Sequence, residues 1–142
     1  HRERDMTDVN SMQGKRASLP QIRPYLGKTD STGLSEKSCD LAFLSQTYHH
    51  LDLEHRVEYL RRLRSVMRPT GRLAVIEEHP ITDPAAKKHA TALSGLLKET
   101  EEAGWILARC ELMVGTYHYL AIFVQKDLFP PEPSTSGRRL RV

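Results

Sequence analysis

The chain reads as an α/β protein with a mostly parallel sheet, and three observations predict it. Two apolar runs, Asp40 to Ser45 and Arg72 to Glu77, flank a segment of helical periodicity. Both runs are continuously apolar rather than alternating, as strands covered on two faces are. A second helical segment and a pair of strands around Gly115 then follow. Strand, helix, strand, helix and hairpin in that order specify helices packed on a sheet.

Each element has its local reason. Residues His1 to Pro20 are polar and carry almost no periodic apolar pattern, so little independent structure is expected there. Gln21 to Gly27 alternates weakly and closes on Gly, which makes it a strand candidate. Lys28 to Ser38 is loop by composition. After the Asp40 strand, Asp52 is placed to cap a helix. In that helix Val57, Leu60, Leu63, Val66 and Met67 recur at helical spacing and form the inner face, with Arg56, Arg61, Arg62 and Arg64 elsewhere on the wheel. Pro69 disfavours helix for the residue before it, so Arg68-Pro69-Thr70-Gly71 ends the helix. Ala85 to Ala103 is the next helix, with Pro84 or Ala85 at its start and Gly104 just past its end. Trp105 to Leu112 and Tyr117 to Gln125 form an antiparallel hairpin. From Asp127 the chain is rich in Pro and Ser and ends basic, the pattern of a disordered tail.

Bulk properties exclude several classes. A chain of 142 residues makes one domain. The net charge of +3 is too weak and too scattered to mark a nucleic-acid binder, and the arginines of the first helix read as a solvated face. No apolar run is long enough to span a membrane, and HRERDMTDVN has no apolar core, so no secretory signal is read there. Cys39 and Cys110 both fall in apolar strands and read as small buried hydrophobes, which suits a reducing, cytoplasmic setting.

The order of these segments resembles the carboxyl-terminal half of class I S-adenosylmethionine-dependent methyltransferases of the small-molecule type. Ser38-Cys39-Asp40-Leu41-Ala42-Phe43 resembles the fourth strand of that family, and Tyr48-His49-His50-Leu51 the "hHHL" signature after it. Leu63 to Ile76 (LRSVMRPTGRLAVI) is similar to the family's "L…LKPGGRLVI" helix, turn and strand. Ala103-Gly104-Trp105 resembles its "AGF" step, and Tyr119 to Phe123 its last strand. The resemblance runs from Gln21 to Lys126 and implies a Rossmann-like methyltransferase sandwich with strand order 3-2-1-4-5-7-6, of which residues 21–126 are a partial domain. The family's first strand and its Gly-rich turn have no counterpart, for no Gly-x-Gly occurs anywhere in the chain. The resemblance therefore implies a truncated domain that binds S-adenosylmethionine weakly or not at all. Strand Asp40–Ser45 would then be a bare sheet edge.

Site residues follow from position. The resemblance places Ser45, Gln46, Thr47 and Tyr48 along the cofactor, and Asp30 at the adenine amino group. His49 is the candidate base, since imidazole titrates near neutral pH. His50, Glu77 and His79 end neighbouring strands and are expected to face a small-molecule substrate. The three histidines lack Cys or paired carboxylates at ligand spacing, so a metal site is not favoured. The rival reading is a non-catalytic methyltransferase-like interaction module, in which a partner chain or a second copy pairs with Asp40–Ser45.

Overall fold

A computed structural model of the chain describes residues 20–27, 32–80 and 90–129. Asp30, nearly all of the polar amino-terminal segment, the start of the second predicted helix and the tail from residue 130 lie outside the described residues.

Four strands form one sheet: β1 (Cys39–Ser45), β2 (Met67–Glu78), β3 (Trp105–Leu112) and β4 (His118–Gln125), in the order β1-β2-β4-β3. Numbered as the resemblance numbers them, this is the expected order 4-5-7-6. β1 and β2 are parallel and joined by α1 (Arg56–Val66), while β4 runs antiparallel to both β2 and β3. Of the three described pairings only β1–β2 is parallel, so the expectation of a mostly parallel sheet does not hold for this part.

The predicted turn at Arg68 to Gly71 survives inside β2 as an irregularity. The ladder jumps from Cys39–Met67 to Leu41–Arg72, which leaves the intervening residues of β2 out of register. Glycine is required at position 71, because a Cβ there would lie 2.7 Å from Met67 Cε and 2.9 Å from the Arg68 carbonyl oxygen. Gln125 closes the turn by donating from Nε2 to the Arg68 carbonyl at 2.8 Å.

Both helices cover one face of the sheet. Leu60, Leu63 and Val66 of α1 and Leu96 of α2 (Leu93–Glu102) meet Leu73, Val75, Trp105, Tyr119, Ala121 and Phe123 in one buried cluster. The Trp105 indole N–H, fully enclosed, donates to the Leu60 carbonyl at 2.9 Å and ties β3 to α1. Gly104, at φ +93, turns the chain from α2 into β3, with the Arg64 guanidinium against its open side.

Four readings of the sequence need correction. Gln21 to Gly27 joins no strand ladder in the structure. α2 begins at Leu93, because Thr91 and Ala92 are extended: Thr91 N–H donates to the Glu78 carbonyl at 3.0 Å, and Ala90 bridges to Glu78. β1 is covered on one face only, with Leu41 60% and Phe43 56% exposed on the other. Cys110 is exposed on the edge strand β3 and Cys39 is half-buried, so neither is a buried hydrophobe. Among the described residues no helix is long and apolar enough to cross a membrane.

Candidate functional site

β1 and β2 run parallel, so their carboxyl ends open on the same side, with Ser45 beside Ile76. The chain leaves β1 through Gln46, whose φ of 52 is left-handed and whose N–H still donates to the Ile76 carbonyl at 2.8 Å. This reversal lifts the next residues over the end of β2. Tyr48–His50 then form one turn of 3₁₀ helix, closed by Leu51 N–H to the Tyr48 carbonyl at 3.0 Å.

That turn sets His49 directly onto Glu77. The His49 backbone N–H donates to Glu77 Oε1 at 3.0 Å, and His49 Nδ1 lies 2.9 Å from Glu77 Oε2. Glu77 is wholly buried, and a buried carboxylate persists only where donors replace its water. An ionised carboxylate only accepts, so the proton of the neutral imidazole sits on Nδ1 and the basic lone pair on Nε2. A carboxylate fixing the tautomer and orientation of a histidine is the arrangement of a general base with its orienting group. His50 stands beside it, its ring centroid 4.0 Å from that of His49, and is exposed.

Arg56, at the start of α1, holds the turn from below. Its Nε donates to the Leu51 carbonyl at 3.0 Å and its Nη2 to the His49 carbonyl at 3.1 Å. Its Cζ sits 4.9 Å from the centroid of the Tyr48 ring, and its Nη1 lies 3.6 Å from Glu99 Oε1 on α2. Burial, with Glu99 nearby, holds the Tyr48 phenol well above the usual tyrosine range, so it stays protonated. Tyr119 is likewise raised, first by burial and then by the Glu77 charge, and donates to the Thr91 carbonyl at 2.7 Å.

The predicted residues therefore separate. His49 and Glu77 come together, with Glu77 engaged by His49 rather than presented to a substrate. Ser45, Gln46 and Thr47 line the exposed rim. Tyr48, expected along the cofactor, is fully enclosed and packs under Arg56 as a wedge between sheet and helix, because its ring is the largest apolar surface on the turn. His79 follows the last residue of β2, with its ring centroid 6.0 Å from that of Tyr119. No group of three or more metal-ligating side chains gathers among the described residues.

Arg56 and Glu99 belong to no sequence motif, and Arg56 is buried rather than lying off the inner face of the helix. Its spacing carried a signal, since Arg56 lies four and seven residues before Leu60 and Leu63 and so shares their face.

A family model of methyltransferase domains matches residues 3–75, about half of the chain. No curated protein matches the sequence significantly. Among solved structures, a SAM-dependent methyltransferase from Aquifex aeolicus superposes with a TM-score of 0.72 at 19% identity, over 83% of this chain and 62% of that one. A protein from Pyrococcus horikoshii gives 0.74 at 14% identity, over 86% of this chain and 68% of that one. An O-methyltransferase from neocarzinostatin biosynthesis, solved with S-adenosyl-L-homocysteine and 1,4-dihydroxy-2-naphthoic acid, gives 0.70 at 14% identity over 84% of this chain and 39% of its own. At these identities the likeness is one of fold, and the chain spans about three fifths of the length of the Aquifex protein.

Proposed function

Because the chain belongs to the methyltransferase domain family, whose methyl donor is S-adenosylmethionine, we propose that it serves methyl transfer to a small-molecule acceptor with His49 as general base. The observation that carries this reading is the His49–Glu77 pair at the carboxyl edge of two parallel strands, where α/β sheets bind their ligands.

Ser45, Gln46 and Thr47 are exposed at the end of β1, and the left-handed turn at Gln46 presents backbone there, so these three fit one wall of a donor site. Tyr48, being enclosed, does not. With no Gly-x-Gly turn in the sequence, that wall alone is expected to hold the donor weakly. When bound, the donor supplies an electrophilic methyl group on a sulfonium.

The rest is work for the chain's own residues. His49 Nε2 would take the proton of an acceptor hydroxyl or amine and leave that atom nucleophilic. Glu77 keeps the Nδ1 proton and stabilises the imidazolium that results. Arg56 fixes the carbonyls of His49 and Leu51, so the ring arrives already oriented. His50 and His79 are the substrate contacts on this reading.

The test uses labelled donor at millimolar concentration with a panel of small hydroxy- and amino-aromatic acceptors. His49→Gln lowers transfer by about two orders of magnitude or more, the share of a general base, while leaving the binding isotherm of the donor unchanged. Transfer unaffected by that substitution overturns the assignment, and a micromolar donor isotherm overturns the weak-binding expectation.

A second reading, an interaction module, is favoured by one observation: the apolar outer face of β1 at Leu41 and Phe43. On that reading the chain is dimeric or partnered by light scattering and Phe43→Lys makes it monomeric; a monomer at high concentration excludes it.

A further inference from the structure

The tip of the β3–β4 hairpin has the wrong composition for a solvent turn. Turns at the surface favour Gly, Asn, Asp and Ser, yet this one reads Leu112-Met113-Val114-Gly115-Thr116-Tyr117. Val114 is 96% and Leu112 71% exposed, with Met113 and Tyr117 also open to solvent. The tip is held in shape by its own hydrogen bonds. Met113 N–H donates to the His118 carbonyl at 3.0 Å, and Thr116 Oγ1 donates to the Met113 carbonyl at 2.7 Å. His79 N–H donates to the Tyr117 carbonyl at 2.9 Å and moors the tip to the end of β2.

Beside the tip, just past the end of β2, lies a cleft of about 380 Å³, lined by tip residues together with His79 and His118. That volume falls within the range of small-molecule sites. No Asp, Glu, Lys or Arg lines it, although such residues make up 27% of the chain. An uncompensated charge is costly to bury, so the lining selects against charged ligands. Tyr117, Met113 and two imidazoles give ring faces and a polarisable thioether. His79 is two residues beyond Glu77, within roughly 7 Å along the extended chain, and Glu77 holds His49.

We infer that this cleft is the acceptor subsite and takes a flat, uncharged aromatic molecule, an inference that rests on the methyl-transfer reading. The cleft explains the exposed apolar tip as one wall of a site at the same sheet edge as the base. An imidazole at its rim offers a hydrogen bond to the hydroxyl or amine to be methylated.

The experiment titrates 2-naphthol into the full ¹⁵N-labelled chain and follows amide shifts. Saturable shifts are expected at His79 and Leu112 to His118, with 2-naphthoate bound at least tenfold more weakly. Val114→Asp, at a position too exposed to affect folding, weakens naphthol at least fivefold. Shifts centred on Leu41 and Phe43 instead, equal binding of naphthoate, or indifference to Val114→Asp overturns the inference. So does broadening of the tip signals by phosphatidylcholine vesicles without saturable naphthol binding, which would mark a membrane-seeking tip. Failure of the underlying reading looks different: His49→Gln would leave methyl transfer intact while naphthol still bound at the tip.

Discussion

Glu77→Gln isolates what the buried carboxylate does for His49. The two side chains are nearly isosteric, so the site keeps its packing. The amide oxygen replaces Oε1 and still accepts from the His49 backbone N–H, now at 3.0 Å from Oε1. The amide NH₂ then replaces Oε2, which faces His49 Nδ1 at 2.9 Å. Two donors cannot share that line, so the imidazole proton moves from Nδ1 to Nε2 and the base lone pair turns inward. Hydrogen bonds to a charged group are worth about 1.5–3 kcal/mol against about 1 for neutral ones, so a loss of roughly 2 kcal/mol is expected in urea unfolding. Glu77→Ala would instead strand two buried donors at about 1–3 kcal/mol each, besides opening a cavity, and would threaten the fold itself. The assay is a long-range ¹⁵N–¹H correlation of the imidazole, read at the alkaline plateau of a pH series. Wild type shows the proton on Nδ1 and the variant shows it on Nε2, while methyl transfer falls about 10²–10⁴-fold, or roughly 3–5 kcal/mol of barrier. An unchanged tautomer in a folded variant refutes the argument.

Arg56→Lys retains the charge but loses the fork that serves the Leu51 and His49 carbonyls together, so hydrogen exchange at the His49 and Leu51 amides accelerates while the melting curve moves little; Arg56→Ala moves both. Trp105→Phe leaves the Leu60 carbonyl without its indole donor and costs about 1–3 kcal/mol by chemical denaturation, against about 3–5 for Trp105→Ala, which empties the core. The phenols of Tyr48 and Tyr119 are both raised in the fold, chiefly by burial. Their contribution to stability is thus complete below the ordinary tyrosine range, about pH 10, and is lost as pH rises beyond it. Their ionisation at 295 nm should coincide with loss of near-ultraviolet circular dichroism; ionisation within the intact fold would contradict their enclosure.

Sheet and hairpin were readable because their signals are local. β3 and β4 flank a glycine, and β2 carries the apolar run Leu73 to Ile76. What escaped sequence reading depended on distant partners. α2 starts late because Tyr119 and Glu78 claim the backbone of Thr91, a constraint no helical pattern contains. Glu77 and Glu78 look equivalent as neighbours, yet strand alternation sends Glu77 under His49, while Glu78 lies beside His118. Arg56 looks like any surface arginine until the 3₁₀ turn beneath Tyr48 supplies carbonyls for its fork. His49 was readable as a candidate because the tip after a parallel strand is where side chains are presented. Its partner was readable only as a strand-end carboxylate.

The one-sided attachment of β1 has a consequence for how the site opens and closes. Among the described strands β1 is held by a single ladder, to β2, and one of its faces is bare. Such a strand can detach in sub-global opening while the β2–β4 pair stays intact. The His49 turn is its direct continuation, so the contact with Glu77 is also the latch that pins the free end of β1. Assembly of the base and docking of the strand are then one equilibrium. Whatever small molecule engages the His49 tip will slow exchange of the β1 amides along the whole strand, by the ordinary stabilisation of the bound form.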